Sequence, residues 1–340
     1  MCVMKDLYEH LLILRSPGIG PVAYNNLLQK FHDVHAIIDS LAPSGDLRDS
    51  VKREIDVATK LGIHFIADDD AQYPQDLRTV KNHPPILTAR GNISTLEHES
   101  VAIVGTRHAT ATGMHFVANI ATAFAEHGIT VVSGMAIGTD FAAHKGALHA
   151  RGNTNTIAVL AGGVDYIWPM ENESLYYEIL ERGVVVSDMP VGFVPNGPNF
   201  VQRNRIIAGI GRKLILSEAD AKSGSMKTAG FAAQYGRQIY AIPSHPADSR
   251  GAGPNSLIRS GAAILCQGIQ DFFTIENSDE KNNKKTEIEN SILDKIGMVP
   301  LSESVLAEIV GKSVSEIKQE LVMLELQGLI QKCDNGYVRA

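Results

Sequence analysis

The amino-acid sequence predicts an α/β fold: a mostly parallel sheet with flanking helices, a helical unit ahead of it and a winged helix behind it. Three observations carry this. Between residues 61 and 276, short apolar runs alternate with helix-length segments, as expected of parallel strands covered on both faces and joined by crossover helices. Residues 277–286 contain no apolar side chain, so they cannot bury a core and read as a linker. Residues 287–340 carry three helical patterns and then two short strands around Asp334-Asn335-Gly336; Asn-Gly is the preferred pair for a tight hairpin turn.

In chain order, residues 1–60 read as helices. Leu7, Leu11, Leu12 and Leu14 form one apolar face and Val22, Leu27, Leu28 and Phe31 a second, on either side of Ser16-Pro17-Gly18-Ile19-Gly20-Pro21. Helix, Gly-x-Gly turn, helix is the shape of a helix–hairpin–helix, whose turn can offer backbone N–H groups to a phosphate. A small helical bundle with a tight turn is the other reading. Strands are expected at Ile63–Ala67, Val101–Val104, Ile129–Val132, Thr156–Leu160, Val184–Val186, Lys213–Leu216 and Gln238–Ile242. In the last unit, helices are expected over roughly 287–296, 302–310 and 314–327, the third opened by a capping box of Ser313 and Glu316.

Composition narrows the function classes. A hydrophobic fraction of 44% over 340 residues supports a sizeable core in two or three domains. The net charge of −7 argues against a global coat of positive charge, so a nucleic acid would need a local basic pocket. Cys2, Cys266 and Cys333 are far apart and form no CxxC, which argues against a disulfide framework or a structural zinc site and fits a reducing cytoplasm. No apolar run reaches the roughly 18 residues of a membrane span, and the first residues lack the pattern of a signal peptide. No membrane partner and no metal are therefore expected.

Five motifs follow strands or open helices at one predicted sheet edge. The first, Val101-Ala-Ile-Val-Gly105-Thr106-Arg107, ends a buried strand in a glycine, a hydroxyl and a guanidinium. Ligands of open parallel sheets bind beyond the carboxyl ends of the strands, and Arg107 can pair with phosphate through its planar fork. The second, Ser133-Gly134-Met135-Ala136-Ile137-Gly138-Thr139-Asp140, is followed by His144 at i+4 from Asp140. That pair could act in proton transfer or bind metal, but no third ligand is evident and a structural pairing is the preferred reading. The third runs from Thr156 through Gly162-Gly163-Val164-Asp165 into Trp168-Pro169. In the fourth, Phe200-Val-Gln-Arg203-Asn204-Arg205, the arginines either bind phosphates or brace the sheet. The fifth, Ser217-Glu218-Ala219-Asp220-Ala-Lys222-Ser223-Gly224-Ser225-Met226-Lys227-Thr228, opens a helix with Ser-Gly-Ser-x-Lys-Thr but lacks the first glycine of a P-loop, so no ATP site is expected. Lys227 either holds a phosphate or sits exposed on a capped helix. Together the glycine turns, hydroxyls and cations describe a polyanion pocket.

These same residues resemble the DNA-processing protein A (DprA/Smf) family. The resemblance rests on Gly105-Thr-Arg107, Ser133-Gly-Met-Ala-x-Gly-x-Asp140 with Ala143-His144, and Thr156-Ile-Ala-Val-Leu-x-Gly-Gly-x-Asp165. It extends through Arg203-Asn-Arg-Ile-Ile-Ala-Gly209, Ser223-Gly-Ser-Met-x-Thr-Ala229 and Gly253-Pro-Asn-Ser-Leu-Ile258. The chain departs from the family at Val201, where Pro is frequent, and at Ser244, where Gly is usual. The resemblance implies a Rossmann-like domain over 61–276, a SAM- or helix–hairpin–helix-like unit over 1–60 and a winged helix over 287–340. It implies a cytoplasmic, non-enzymatic binder of single-stranded DNA, dimeric through the Rossmann-like domain, which protects incoming DNA and helps load the RecA recombinase in natural transformation. No cofactor and no catalytic residue are expected.

Carried over by position, Arg107 is the first candidate DNA contact, followed by Gly105, Thr106, Ser133, Gly134, Arg203, Asn204 and Lys227. Phe193 and Phe200 lie in a segment, 189–202, without Lys or Arg; they either stack on bases or belong to the core. Residues 286–340 hold five Lys and Arg against nine Asp and Glu, which opposes duplex binding by the winged helix and favours a protein-contact or regulatory role. The second expectation is a nucleotide-processing enzyme of the phosphoribohydrolase class. Its Pro-Gly-Gly-x-Gly-Thr stretch and catalytic Glu have no counterpart here, where Ala161-Gly162-Gly163 runs into Val164-Asp165.

Overall fold

The computed structural model describes residues 7–151, 156–273, 292–296, 300–326, 329–333 and 336–339. The chain divides into two compact units, Met1–Thr274 and Ile275–Ala340. The expected linker 277–286, Cys2, and Asp334-Asn335 of the hairpin turn lie outside the described residues.

Unit 1 opens with helices α1 (Leu7–Leu14), α2 (Pro21–Phe31), α3 (Val34–Leu41) and α4 (Gly45–Leu61). Asp33 and Ser44 cap α3 and α4 by accepting from first-turn amides, each cap being worth about 1 kcal/mol. Most of the apolar positions read from the sequence close on one another, Leu7, Leu11, Leu12, Leu14, Leu27, Leu28 and Phe31 packing with Tyr24, Ile37 and Val51 and reaching Ile86 on the sheet; Val22, expected on the same face, is exposed instead.

The sheet follows, with β1 (Ile63–Ala67), β2 (Ile86–Gly91), β3 (Ser100–Val104), β4 (Thr130–Ser133) and β5 (Thr156–Val159), then β6 (Val184–Ser187), β7 (Lys213–Leu216), β8 (Gln238–Ala241) and β9 (Ile264–Leu265). Their spatial order is β1-β2-β6-β5-β4-β3-β7-β8-β9. From β6 to β9 every pairing is parallel; β2 pairs antiparallel with both β1 and β6. The sequence reading did not expect β2 or β9. The residues of β2 directly follow Pro84-Pro85 and are held at the sheet by β6, in register Thr88↔Ser187.

A short α5 (Gln75–Arg78) precedes β2, and the crossover helices are α6 (Ala111–Glu126), α7 (Thr139–His149), α8 (Glu173–Arg182), α9 (Gly197–Ile210), α10 (Gly224–Gln234) and α11 (Ala252–Arg259). Alternating strand residues feed two cores, as a period of two requires. Ile157, Val159, Val184 and Val186 pack against Ile206 and Ile207 of α9, while Ala158 and Val185 pack against Leu148 of α7 and Leu175 of α8. Each fully buried Val, Ile or Leu contributes about 1.5–3 kcal/mol relative to exposure.

Unit 2 comprises α12 (Glu303–Val310), α13 (Val314–Leu326), β10 (Ile330–Cys333) and β11 (Gly336–Arg339). Ile292, Leu306, Ile317, Leu321, Ile330 and Tyr337 form its core. Ser313 and Glu316 make the expected capping box, with Glu316 accepting from the Ser313 amide at 2.9 Å. Lys312 and Lys318 are paired with Glu320 and Glu303. No helix among the described residues is long and apolar enough to cross a membrane.

Candidate nucleic-acid interface

Strand order places the site. The chain runs outward from β3 to β6 on one side, then returns to lay β7 on the other side of β3. Loops beyond β3 and β7 therefore diverge and leave a crevice, the topological switch point of an open sheet. A cavity of about 530 Å³ occupies it, lined by Gly105–His108, Asp140, Phe200, Arg203, Asn204 and the start of α10. A larger hollow of about 910 Å³ lies between the α1–α2 turn, residues 79–86 and residues 188–190. Two of its arginines are neutralised: Arg15 pairs with Glu54 at 2.8 Å and Arg205 with Asp188 at 2.5 Å. Arg205 is thus a brace, and the switch-point crevice is the better anion site.

The turn after β3 is locked from several directions. The Thr106 amide donates to the Glu218 carbonyl at 2.6 Å, and the Ser225 hydroxyl donates to the Gly105 carbonyl at 2.6 Å. The Thr139 amide donates to the Thr106 carbonyl at 3.2 Å. Gly105 is required because a Cβ there would meet the Thr139 side chain; Gly138, at φ +79°, would place a Cβ 2.6 Å from the Thr106 carbonyl. The Thr106 N–H is therefore spent inside the protein, and its hydroxyl oxygen accepts from the His108 amide at 3.2 Å. Arg107 is left exposed at the tip. Its guanidinium carbon lies 4.8 Å from the Trp168 ring centre and 5.6 Å from that of Phe200, and the two rings are 4.3 Å apart. Arg107 makes no ion pair among the described residues, so its N–H fork is open to a ligand while the two rings lie within cation–π range of its charge.

Behind this tip lies a buried polar network. Arg203 is 5% exposed and donates to the carbonyls of Gly134, at 2.5 Å, and Val159, joining the ends of β4 and β5. Gly134 admits it, since a Cβ there would stand 2.6 Å from the guanidinium carbon. Burial, opposed by the attraction of Asp140, pulls the Arg203 pKa down to about 10, so it stays charged at neutral pH. Burial raises Asp140, and the Arg203 charge pulls it back. Met135 holds φ +64°, a left-handed conformation that a non-glycine residue keeps only when its surroundings impose it. Its amide donates to His144 Nε2 at 3.3 Å and its carbonyl accepts from Asn172 at 2.8 Å.

The expected Asp140–His144 pairing is not what forms. Asp140 accepts from the Ala136 amide, whereas His144 Nδ1 donates to Thr156 Oγ1 at 2.7 Å, that hydroxyl being committed to the Val131 carbonyl. The ring is consequently neutral: a proton on Nε2 would face the Met135 amide, and burial together with the Arg203 charge lowers its pKa to about 3. Because the unfolded chain protonates His144 near its ordinary 6.5, stability is full above that pH and falls as pH drops from 6.5 toward 3. The slope approaches about 1.4 kcal/mol per pH unit for one such group. Asp140, shifted the other way, opposes this. Urea unfolding of the chain and of His144→Gln at pH 7.5 and 5.0 isolates the histidine: the variant is expected to lose less stability on acidification. Equal losses would contradict the neutral-ring geometry.

The remaining expected site residues divide. Phe200 and Asn204 line the crevice, Asn204 accepting from Arg203 Nε at 3.1 Å. Ser133 is fully buried and donates to the Ile103 carbonyl at 2.7 Å, and Gly134 is buried, so both shape the crevice from behind. Lys227 is exposed on α10 but outside the crevice lining. Phe193 is half-buried in the loop after β6, where its carbonyl accepts from Gly163. Sequence reasoning missed two members. Trp168 was noted only as part of a glycine-rich run; being the single tryptophan of the chain, beyond a strand end, was the available signal. Glu218 was noted only as part of the fifth motif; it accepts from the Thr110 amide at 2.7 Å and its hydroxyl at 2.5 Å and so fixes the start of α6, a role that depends on a partner 108 positions away. Among the described residues, no cluster of three or more His, Cys, Asp or Glu could hold a metal.

Residues 64–276 match the family model for DNA recombination-mediator protein A, and residues 276–336 match that for the DprA winged helix domain. Protein Smf of Escherichia coli is 31% identical over 290 residues, covering 81% of this chain and 77% of that protein. Protein Smf of Synechocystis is 34% identical over 241 residues, covering 70% of this chain; the match spans 55% of that relative's length. The crystal structure of DNA processing protein A from Streptococcus pneumoniae superposes with a TM-score of 0.67 at 30% identity, covering 78% of this chain and 97% of that one. A Helicobacter pylori DNA processing protein A, described for its single-stranded DNA binding mode, superposes at 0.57 and 28% identity, covering 64% of this chain and 96% of that one.

Proposed function

The chain belongs to the DNA recombination-mediator protein A (DprA/Smf) family, and from that premise we propose that it binds single-stranded DNA in the switch-point crevice. The observation that carries the reading is Arg107: exposed, within cation–π distance of Trp168 and Phe200, and without an ion pair among the described residues. Its fork donates to a backbone phosphate, while the adjoining ring faces stack on bases. Thr106 and Asn204 add polar contacts. Gly105, Ser133, Gly134 and Arg203 set the shape of the crevice; Lys227 and Phe193 flank it.

Protection of the bound strand, its transfer to the RecA recombinase, a homodimer through the Rossmann-like domain and a cytoplasmic setting complete the proposal. A binder's site is supported by the Asp–His pair noted in the sequence: Asp140 and His144 are buried and committed to backbone or internal hydroxyl partners.

The single tryptophan provides the test. Titration with short thymidine oligonucleotides is expected to quench Trp168 fluorescence, with single strands bound more tightly than duplexes of the same length. Affinity should fall steeply with salt, because phosphate contacts release counterions. Equal affinity for duplex, or binding that leaves Trp168 unperturbed, would count against the crevice.

A further inference from the structure

We infer that Glu54, on α4 and remote from the crevice, is a positioning residue for the aromatic platform beneath Arg107; its effect on DNA binding rests on the function proposed above. The Glu54 carboxylate is nearly buried, its side chain 8% exposed, and it joins three segments. It accepts from Arg15 Nε at 2.9 Å and Nη2 at 2.8 Å at the end of α1, and its Oε1 also accepts from the Val191 amide at 3.2 Å. Val191 begins the strap that leads from β6 to α9.

That strap has little slack. The Gly192 amide donates to Asp165 Oδ1 at 2.8 Å, and the Gly163 amide donates to the Phe193 carbonyl at 3.0 Å. Cβ atoms at Gly162 or Gly163 would lie 2.6–2.9 Å from strap atoms, so the strap rests directly on the glycine turn after β5. Pro195 lines the same small hollow as Trp168 and Phe200. Asn196 and Asn199 then form a reciprocal capping box that starts α9, and Phe200 follows in its first turn. A displacement at Val191 therefore has only a few hydrogen-bonded residues through which to pass before it reaches Phe200 and the tilted Trp168 ring packed against it. The helical unit is thereby tied to the site without touching it, through a hydrogen bond from backbone to a charged acceptor. Such bonds are stronger than neutral ones because the acceptor is ionised.

The test uses the full chain and reads Trp168 first, in the absence of DNA. Glu54→Ala removes the acceptor but leaves Arg15 buried without its partner, which by itself destabilises. Arg15→Met with Glu54→Ala removes the pair together and keeps the fold testable. Glu54→Gln retains an acceptor oxygen for the Val191 amide. The expected result is that the double variant shows steeper acrylamide quenching and a red-shifted emission of Trp168, and binds single-stranded oligonucleotide about tenfold more weakly, the fold-change of about 1.4 kcal/mol. Glu54→Gln should restore most of both. Wild-type quenching in a folded double variant would overturn the inference whatever happens to DNA binding. Altered quenching with unchanged oligonucleotide affinity would overturn the positioning role. If the unsubstituted chain binds no single strand at all, the proposed function fails, while the quenching comparison still decides whether Glu54 sets the platform.

Discussion

Arg203→Leu is expected to cost about 3–5 kcal/mol of folding stability, the range for removing one partner from a buried charge pair. The side chain is approximately isosteric only in its stem. Its loss leaves the Gly134 and Val159 carbonyls without their donor and Asp140 buried beside no cation. Two effects compete. Desolvating Arg203 already weakens the native state, as the fall of its pKa to about 10 records. Leaving its partners unsatisfied costs more, because the desolvation of Asp140 and of two carbonyls is then uncompensated. A shift of the urea midpoint measures the loss, and replacing Asp140 by Leu in the same chain is expected to recover part of it. A single variant as stable as the parent would show that the ends of β4 and β5 are held by something other than this guanidinium. Whatever DNA affinity survives in the folded fraction should keep its dependence on salt, because Arg203 faces inward and releases no counterion from the strand.

Arg107→Ala is expected to do the opposite. Fold stability should change by no more than about 1 kcal/mol, the value of an exposed cation–π contact. Affinity for single-stranded oligonucleotide should fall by roughly 10- to 100-fold, corresponding to the loss of charge-assisted hydrogen bonds worth about 1.5–3 kcal/mol. The slope of log affinity against log salt should become shallower by about 0.7, one phosphate contact on a single strand. Arg107→Lys should keep the slope and lose part of the affinity, since an ammonium supplies the charge without the planar fork that lies over Trp168 and Phe200. An unchanged slope in the alanine variant would take the guanidinium off the phosphate, even if affinity fell. The two arginines thus separate a contact from a brace by two independent readouts, stability and salt dependence.

Much of the architecture was legible because it is written locally. Valine- and isoleucine-rich runs ended in glycine at 105, 134 and 162, and those positions proved to be turns at the carboxyl edge of one sheet. The capping box at Ser313 was readable because its partners lie three residues apart. β2 was not legible: its residues follow two prolines, and their strand state comes from β6, almost a hundred positions later.

The sequence alone determined the alternation of strands and helices, the glycine turns and the family, since each depends on residue types over a few positions or on motifs in order. Tertiary structure decided which arginine meets solvent. Arg107, Arg203 and Arg205 look alike as residues; their fates follow from neighbours distant in the chain. Val159 and Gly134 supply the carbonyls that draw Arg203 inside, Asp188 neutralises Arg205, and Trp168 and Phe200 hold Arg107 at the rim. A guanidinium goes where its donors find acceptors at least desolvation cost, and that balance exists only once the strands have been placed side by side.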